Sequence, residues 1–307
     1  MDLGALRERL TTAYRTRSEQ ALELVDRIPI LGRLLSEFVR IEFIDRCMLI
    51  AAQGLLALIP TFVVLVAFFP DLISVGLGQF TSATGLGPSG SASIAGEVTV
   101  EQVRAQTGVI GVLIVLFSAT SFGRAIQRMY ERVWEQPHIG GVSGARRCFV
   151  WLVGWLLSIQ VVAGVLGLMS GLDGLVPSVS RLLIQMGLLT MLWLVTSWLL
   201  LFGRVRWWRL VVGAALTGVL QVIYTRGSGF VMPAYVENNS EQFGTLGVIL
   251  SISTWMIGFG AILVGSALVG RVVSEDPTVV RLVRSTVAAV PGRLSRRQAP
   301  EDERAAR

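Results

Sequence analysis

Hydrophobic and polar positions fall into long blocks along this chain, without the short alternation of a soluble domain. Six apolar runs stand out: Cys47–Phe69, Gly108–Phe122, Cys148–Ser170, Leu182–Phe202, Trp208–Thr225 and Leu246–Gly270. Five of them hold 18–25 residues, enough at 1.5 Å per residue to cross roughly 30 Å of hydrocarbon. The second has 15 and continues straight into charge, so that Phe117–Trp134 reads FSATSFGRAIQRMYERVW. As a helix this stretch puts Arg124, Arg128 and Arg132 at i, i+4 and i+8, a guanidinium stripe on one face.

Ahead of the first run, Leu31, Leu34, Leu35, Phe38 and Ile41 recur at helical spacing, with Arg33, Glu37 and Arg40 on the other face. That pattern predicts an amphipathic helix after Pro29, lying at a membrane surface. The expected fold is all-α: a polytopic membrane protein with six transmembrane helices behind an N-terminal amphipathic interfacial helix. Its parts are a cytoplasmic amphipathic segment over residues 1–46, a six-helix transmembrane domain over 47–270, and a basic, partly disordered cytoplasmic tail over 271–307. A weak helix around Leu3, Leu6 and Leu10 and a surface helix over Pro277–Val290 complete the termini. Glu97–Gln106 is expected as a short separate helix after a Gly/Ser-rich loop centred on Thr81–Gly96, and 226–245 as a loop. The first run starts too late for a signal peptide.

Composition supports this picture and orients it. The chain is 52% hydrophobic and 16% charged, where a soluble domain carries about a quarter charged residues. All 27 basic residues are arginine, and 24 of them fall in 1–46, 123–147, 203–209 and 271–307. The alternate loops hold one each: Arg104, Arg181 and Arg226. The positive-inside rule then places both termini in the cytoplasm. Topology also accounts for the net charge of +6, so no nucleic acid partner is expected. The expected partners are membrane lipids through their anionic headgroups, and homo-oligomer formation stays open.

Candidate chemistry is sparse. One histidine (His138), two cysteines (Cys47 and Cys148) and no CxxC or HExxH motif leave a metal site without ligands. No metal, cofactor or catalytic residue is expected, and the chain reads as a non-enzyme. The two cysteines are expected to be reduced and unpaired. No Asp or Glu lies inside any run, which disfavours ion coupling through an intramembrane carboxylate. Arg124, Gln127 and Arg128 are the candidates for contact with the phosphate or carboxylate of a lipid or substrate. The plainer reading is that they mark the cytoplasmic end of the span and pair with headgroups or Glu131. Gln53 and Pro60 share a face of the first run and would permit a kink; Ser118, Thr120, Ser251 and Thr254 would line a polar pathway. Gly167/Gly171, Ala261/Gly265 and Ser266/Gly270 are small-xxx-small pairs suited to helix packing. Trp134, Trp151, Trp155, Trp207 and Trp208 are expected as an interfacial aromatic belt.

Four pieces in order resemble the YihY/BrkB membrane-protein family, once labelled ribonuclease BN. They are Arg46 with Ala51-Ala52 and Pro60; Ser118-Ala119-Thr120-Ser121-Phe122 with Ala125, Gln127 and Trp134; Arg204/Arg206 leading to Trp208 and Gly213-Ala214; and Phe243-Gly244-Thr245-Leu246-Gly247 with Trp255 and Gly265. The resemblance implies a six-helix inner-membrane protein linked to transport of envelope lipids or lipopolysaccharide precursors and to serum resistance. It brings no defined mechanism and no catalytic residue. The family often ends its last span with Gly-Ala-Glu; here Gly265-Ser266-Ala267 lacks the acid. The nuclease label fails on chemistry, because one histidine without an acidic cluster cannot build a metal-dependent phosphodiester site. The leading expectation is a transporter or flippase-like protein for envelope lipids or amphiphiles. The alternative is a membrane scaffold that binds partners or anionic lipid through its basic face.

Overall fold

The computed structural model describes residues 29–68, 100–168 and 175–276. The expectations for the Leu3–Leu10 helix, Thr81–Gly96, Gly171, the side chain of Pro60 and the tail helix lie outside the described residues. Among the described residues seven helices follow one another: α1 Pro29–Arg40, α2 Phe43–Phe68, α3 Val100–Val133, α4 Gly141–Leu168, α5 Leu175–Leu200, α6 Trp207–Phe243 and α7 Thr245–Glu275, with no strand. Four segments of the described residues are long and apolar enough to cross a membrane: Gly141–Leu168, Ser178–Leu200, Trp207–Phe243 and Thr245–Glu275. The first apolar run, as far as Phe68, falls within α2 and the second within α3.

Two expected boundaries need correction. Glu97–Gln106 does not form a separate helix: α3 starts at Val100 and runs unbroken to Val133. Nor is 226–245 a loop. The helix that begins at Trp207 continues through Pro233 to Phe243, 37 residues in all, or about 55 Å. Its polar composition misleads because one narrow face stays buried: Ser228, Met232 and Val236 recur every four residues, Met232 and Val236 packing with Val248, Ile252 and Met256 of α7 and Ser228 accepting from Trp255. The chain then reverses in a single residue. Gly244 adopts φ 59°, ψ −138°, a conformation that suits a residue without Cβ.

Neighbouring helices close a ring in the order α2, α7, α6, α5, α4, α3, with α1 laid against α7. In lipid, apolar burial alone gives no drive for helices to associate, so close packing and hydrogen bonds must hold the ring. Glycines supply the packing where backbones nearly touch. A Cβ on Gly270 would lie 2.5 Å from Cα and N of Gly213, and one on Gly260 would lie 2.9 Å from the Cys47 carbonyl oxygen. Aromatic contacts supply a second tie. Trp193 of α5 packs on Phe259 of α7, which stacks on Trp255, which meets Tyr224 of α6. Each polar atom along this ladder is matched: Trp193 Nε1 donates to Gln221 at 2.6 Å, Trp255 Nε1 to Ser228 at 2.9 Å, and Tyr224 Oη to the Trp255 carbonyl at 2.8 Å.

Packing is uneven along the ring. The larger cluster gathers at the arginine-rich end, around Ile126, Met129 and Tyr130 of α3, Cys148 and Trp151 of α4, and Leu200 of α5. Trp134 and Trp151 belong to this core, and Trp151 donates to Thr196 at 3.1 Å; neither forms part of an interfacial belt. Among the described residues α4 and α5 bury little of their apolar surface, 7% of α4's most apolar stretch and 17% of α5's against 50% for α7, although α5 stays tight against α6, where a Cβ on Gly218 would lie 2.8 Å from Thr190 N. Both cysteines are buried and free.

Candidate functional site

The arginine-rich end of the ring is closed by two ion networks, both hung on the last turns of α3. A helix repeats every 3.6 residues, so Gln127 and Glu131, four apart, share a face. That face points at α4 and the α5–α6 turn. Glu131 is 3% exposed and Gln127 1%, and a carboxylate so far from water needs compensating donors. It has them. Its Oε1 accepts from Gln127 Nε2 at 2.9 Å, from the Ile139 backbone N–H at 3.2 Å and from Arg204 Nη2 at 3.1 Å. Its Oε2 lies 2.7 Å from His138 Nδ1. Gln127 is equally satisfied, because its amide also donates to the Ile139 carbonyl at 3.0 Å and its oxygen accepts from the Cys148 thiol at 3.2 Å.

Backbone geometry brings these groups together. A Cβ on Gly144 would stand 2.8 Å from the Ile139 carbonyl oxygen, so glycine there lets the α3–α4 loop fold onto the carboxylate. Arg204 is fixed from three sides: Nη1 donates to the Pro137 carbonyl at 2.7 Å and Nε to Leu201 at 3.2 Å, besides the bond to Glu131. Phe202, just before it, holds φ 59°, an uncommon state for a bulky residue. Its ring lies between the guanidinium groups of Arg147, 4.4 Å from the centroid, and Arg204, 5.7 Å away.

The second network centres on Arg271 near the end of α7. Its guanidinium donates to the Val133 carbonyl at 2.6 Å, one of the orphan acceptors at the end of α3. It also meets Glu135 at 2.9 Å, Glu275 at 3.1 Å and Glu37 at 3.5 Å. Arg40 joins Glu37 to Glu135, and Arg33 reaches Glu275. Bonded to Arg271 and close to Arg40, the Glu135 carboxyl is held below the usual carboxylate range. Between the two networks lies a void of about 10 Å³ lined by Tyr130, Trp134, Ser197, Leu210, Gly213, Ala214 and Ala267, no larger than one water molecule.

The residues expected from sequence are distributed differently. Gln127 is inside the Glu131 network. Arg124 and Arg128 lie at the edge of the α3–α4 loop, Arg128 exposed and roughly opposite Tyr130; Arg124 donates to the Gly141 carbonyl at 3.3 Å. Neither meets the carboxylate of Glu131. Gln53 is half-buried on α2, and Ser118 and Thr120 are half-buried on α3. Ser251 is buried and accepts from Asn239 of α6 at 2.9 Å, whereas Thr254 is exposed and bonds back to Leu250. The two are linked through α6, because Tyr235 is hydrogen-bonded to both Thr254 and Asn239. Of the small-residue pairs, Gly270 meets Gly213 and Ser266 is buried beside it, while Ala261 is half-buried and Gly265 has only the Phe43 ring, 3.8 Å away. A Cβ on Gly167 would meet nothing within 4 Å, and its expected partner Gly171 lies outside the described residues.

Sequence reasoning named Glu131 only as a partner for the arginine stripe and Arg204 only within a motif, and it did not single out His138 or Arg271 as site residues. The available signal was Glu131 one turn beyond Gln127 and seven residues from the chain's single histidine. Among the described residues no group of three or more His, Cys, Asp or Glu could hold a metal ion.

A family model described as Virulence factor BrkB matches residues 36–282. The chain belongs to the BrkB family. The BrkB match holds every residue of both networks except Arg33. With the apolar helices, it makes this a membrane protein. No curated protein and no solved structure matches the chain.

Proposed function

We propose that this BrkB-family chain is a non-enzymatic, lipid-translocating protein of the cytoplasmic (inner) membrane, with six membrane-crossing helices and both termini in the cytoplasm. The observation that carries the reading is the asymmetry of the ring. At the arginine-rich end, taken as cytoplasmic from the arginine alternation, five elements are tied by Glu131 and Arg271. Along their length α4 and α5 leave most of their apolar surface uncovered by the described residues. A carrier that admits an amphiphile from one side needs such a seal on the other, made of contacts that can break and re-form. The two further crossings are assigned to α2 and α3, each of which contains one apolar run.

The test is translocation of a fluorescent phospholipid in vesicles holding the purified protein, read by its loss of protection from a reagent that cannot cross the membrane. Wild type should move the lipid faster than empty vesicles do; equal rates sink the reading.

A scaffold reading has one observation in its favour. Seven arginines at the charged end, three on α3, two on α4 and two at the start of α6, have no carboxylate partner among the described residues. A surface of this kind could hold acidic partners with no lipid movement. Deleting residues 278–307 should then abolish partner capture and leave membrane insertion intact. Unchanged co-purification counts against it.

A further inference from the structure

The arginines at the charged end divide by location. Arg33, Arg40, Arg46, Arg204 and Arg271 are engaged with Glu275, Glu37, Glu42, Glu131 and Glu135. Arg124, Arg128 and Arg132 on α3 and Arg146 and Arg147 on α4 make no ion pair among the described residues. These five of the seven arginines at the charged end without an ion pair among the described residues lie on the two helices that form the α3–α4 seam, Arg147 over the Phe202 ring and Arg206 and Arg209 apart at the start of α6. At the seam a Cβ on Gly123 would lie 3.2 Å from Cys148 Cβ and from the Trp151 ring, and Arg124 reaches the first residue of α4. Among the described residues no acid in this sector is open to the surface: Glu131, in line with Leu113 and Arg124, is covered by the α3–α4 loop, 3% exposed, and spent on Arg204 and His138.

The same face of α3 changes character along its length. Leu113, Phe117, Arg124 and Arg128 sit at i, i+4, i+11 and i+15, within one narrow angular sector. Leu113 is 59% exposed and Phe117 75% exposed. Phe149, Val150 and Val153 of the adjoining α4 are exposed as well. One column therefore carries apolar side chains for two turns and guanidinium groups for the next two. That is the order of a phospholipid standing in a leaflet, acyl chain first and phosphate after. Guanidinium matches a phosphate diester bidentately, and arginines near a membrane surface attract anionic lipid.

We propose that the α3–α4 seam is a binding site for one anionic phospholipid of the leaflet at the charged end. Arg124 and Arg128 hold its phosphate, and Phe117 and Leu113 support an acyl chain. The proposal needs the chain to lie in a membrane, and it stands whether or not the protein moves lipid. It is tested by titrating phosphatidylglycerol, with phosphatidylcholine in parallel, into the detergent-purified full chain and counting bound lipids by native mass spectrometry. Wild type should retain phosphatidylglycerol in preference to phosphatidylcholine. Arg124→Gln/Arg128→Gln should weaken that binding about thirtyfold, the size of two lost arginine–headgroup contacts. Arg206→Gln/Arg209→Gln removes the same charge at another corner and should leave binding within about twofold. Phe117→Ala keeps every charge and should weaken binding severalfold, which keeps the site testable if the double arginine variant does not fold. Equal affinity for the two lipids, or equal losses in the two double variants, overturns the site.

Discussion

Between Gly123 and Trp134 the polar side chains of α3 fall into two neighbouring groups, Gln127 and Glu131 beneath the α3–α4 loop and the arginines at its edge, that behave in opposite ways. Beneath the loop Gln127 and Glu131 are buried, and every polar atom they carry is bonded. At its edge Arg124, Arg128 and Arg132 run to the surface, and Arg124 has a single contact with a backbone carbonyl. The stripe is the louder signal in the sequence, but the single acid beside it joins four parts of the chain. A charge that recurs on one face at a membrane boundary is held by solvent and headgroups. A lone charge of the other sign, within reach of a turn that carries arginine, is held by protein. Function can draw on either group, but only the covered one is built into the fold.

The comparison breaks most sharply at Glu131 and Arg271. Glu131→Ala leaves the partly buried Arg204 guanidinium with only the Pro137 and Leu201 carbonyls, and Arg271→Ala strips the buried Val133 carbonyl of its donor and leaves Glu135 and Glu275 to Arg40 and Arg33. Breaking a fully buried ion pair costs about 3–5 kcal/mol, and partly exposed groups such as these lose less. Each variant should still unfold at lower temperature or denaturant in detergent. Glu131→Ala/Arg204→Ala should cost clearly less than the two single changes added together, because the second removal relieves the charge stranded by the first. Simple additivity would mean that Glu131 and Arg204 do not interact, and the covered group would lose its claim to be a seal.

How much of this was legible follows from what a period can encode. Apolar runs located the helices, and Leu34, Phe38 and Ile41 located α1, because a buried or lipid-facing stripe repeats along the chain. The α6–α7 hairpin was missed past Thr225 because its buried face is one residue wide and its other faces are polar, as at Glu237, Asn238 and Glu241. Gln127 was read as a site residue from its place beside the stripe, and the structure puts it in the Glu131 network. Arg204 lies 73 positions from Glu131 and Arg271 lies 138 from Val133. No local pattern records pairings at that range; the ring must close before they exist.

A smaller break tests the packing that lets the ring close. Gly270→Ala would press a methyl group against the Gly213 backbone, and backbone cannot swing aside as a long side chain can. Overpacking of this kind costs roughly 1–3 kcal/mol. The same change at Gly167, where nothing stands within 4 Å, should be neutral or slightly stabilising, since alanine favours helix. Thermal melts of the two variants side by side give the measurement. A Gly270→Ala protein as stable as wild type would place the α6–α7 contact elsewhere.

The Arg271 network should also respond to pH, and the sign is fixed by Glu135. Its folded-state carboxyl titrates below the ordinary range. Its contribution is therefore complete above the unfolded-state value and fades as pH falls through the depressed one. The carboxylate is more than half exposed, so the loss should be shallow. Melting temperature followed from neutral pH into the acid range should separate wild type from Glu135→Gln at the neutral end. The two should converge at the acid end. A gap of constant size would show that Glu135 acts through shape alone.

The least disruptive change sharpens the comparison most. Arg124→Gln/Arg128→Gln removes two charges from the edge of the loop and leaves no buried group unpaired, for Arg128 is exposed and the Gly141 carbonyl can take water in place of Arg124. Surface substitutions of this kind stay within about 0.5 kcal/mol. The melting curve should therefore overlay that of wild type in a neutral detergent. In bilayers containing anionic lipid the wild type should gain stability that the variant does not, because a ligand that binds only the folded chain adds to its stability. The paired measurement separates the two groups by kind. Glu131 matters to the fold in any surroundings; Arg124 and Arg128 matter only where there is phosphate to hold. If the variant melts early in neutral detergent as well, the arginine stripe is structural, and the distinction between the two groups on α3 fails.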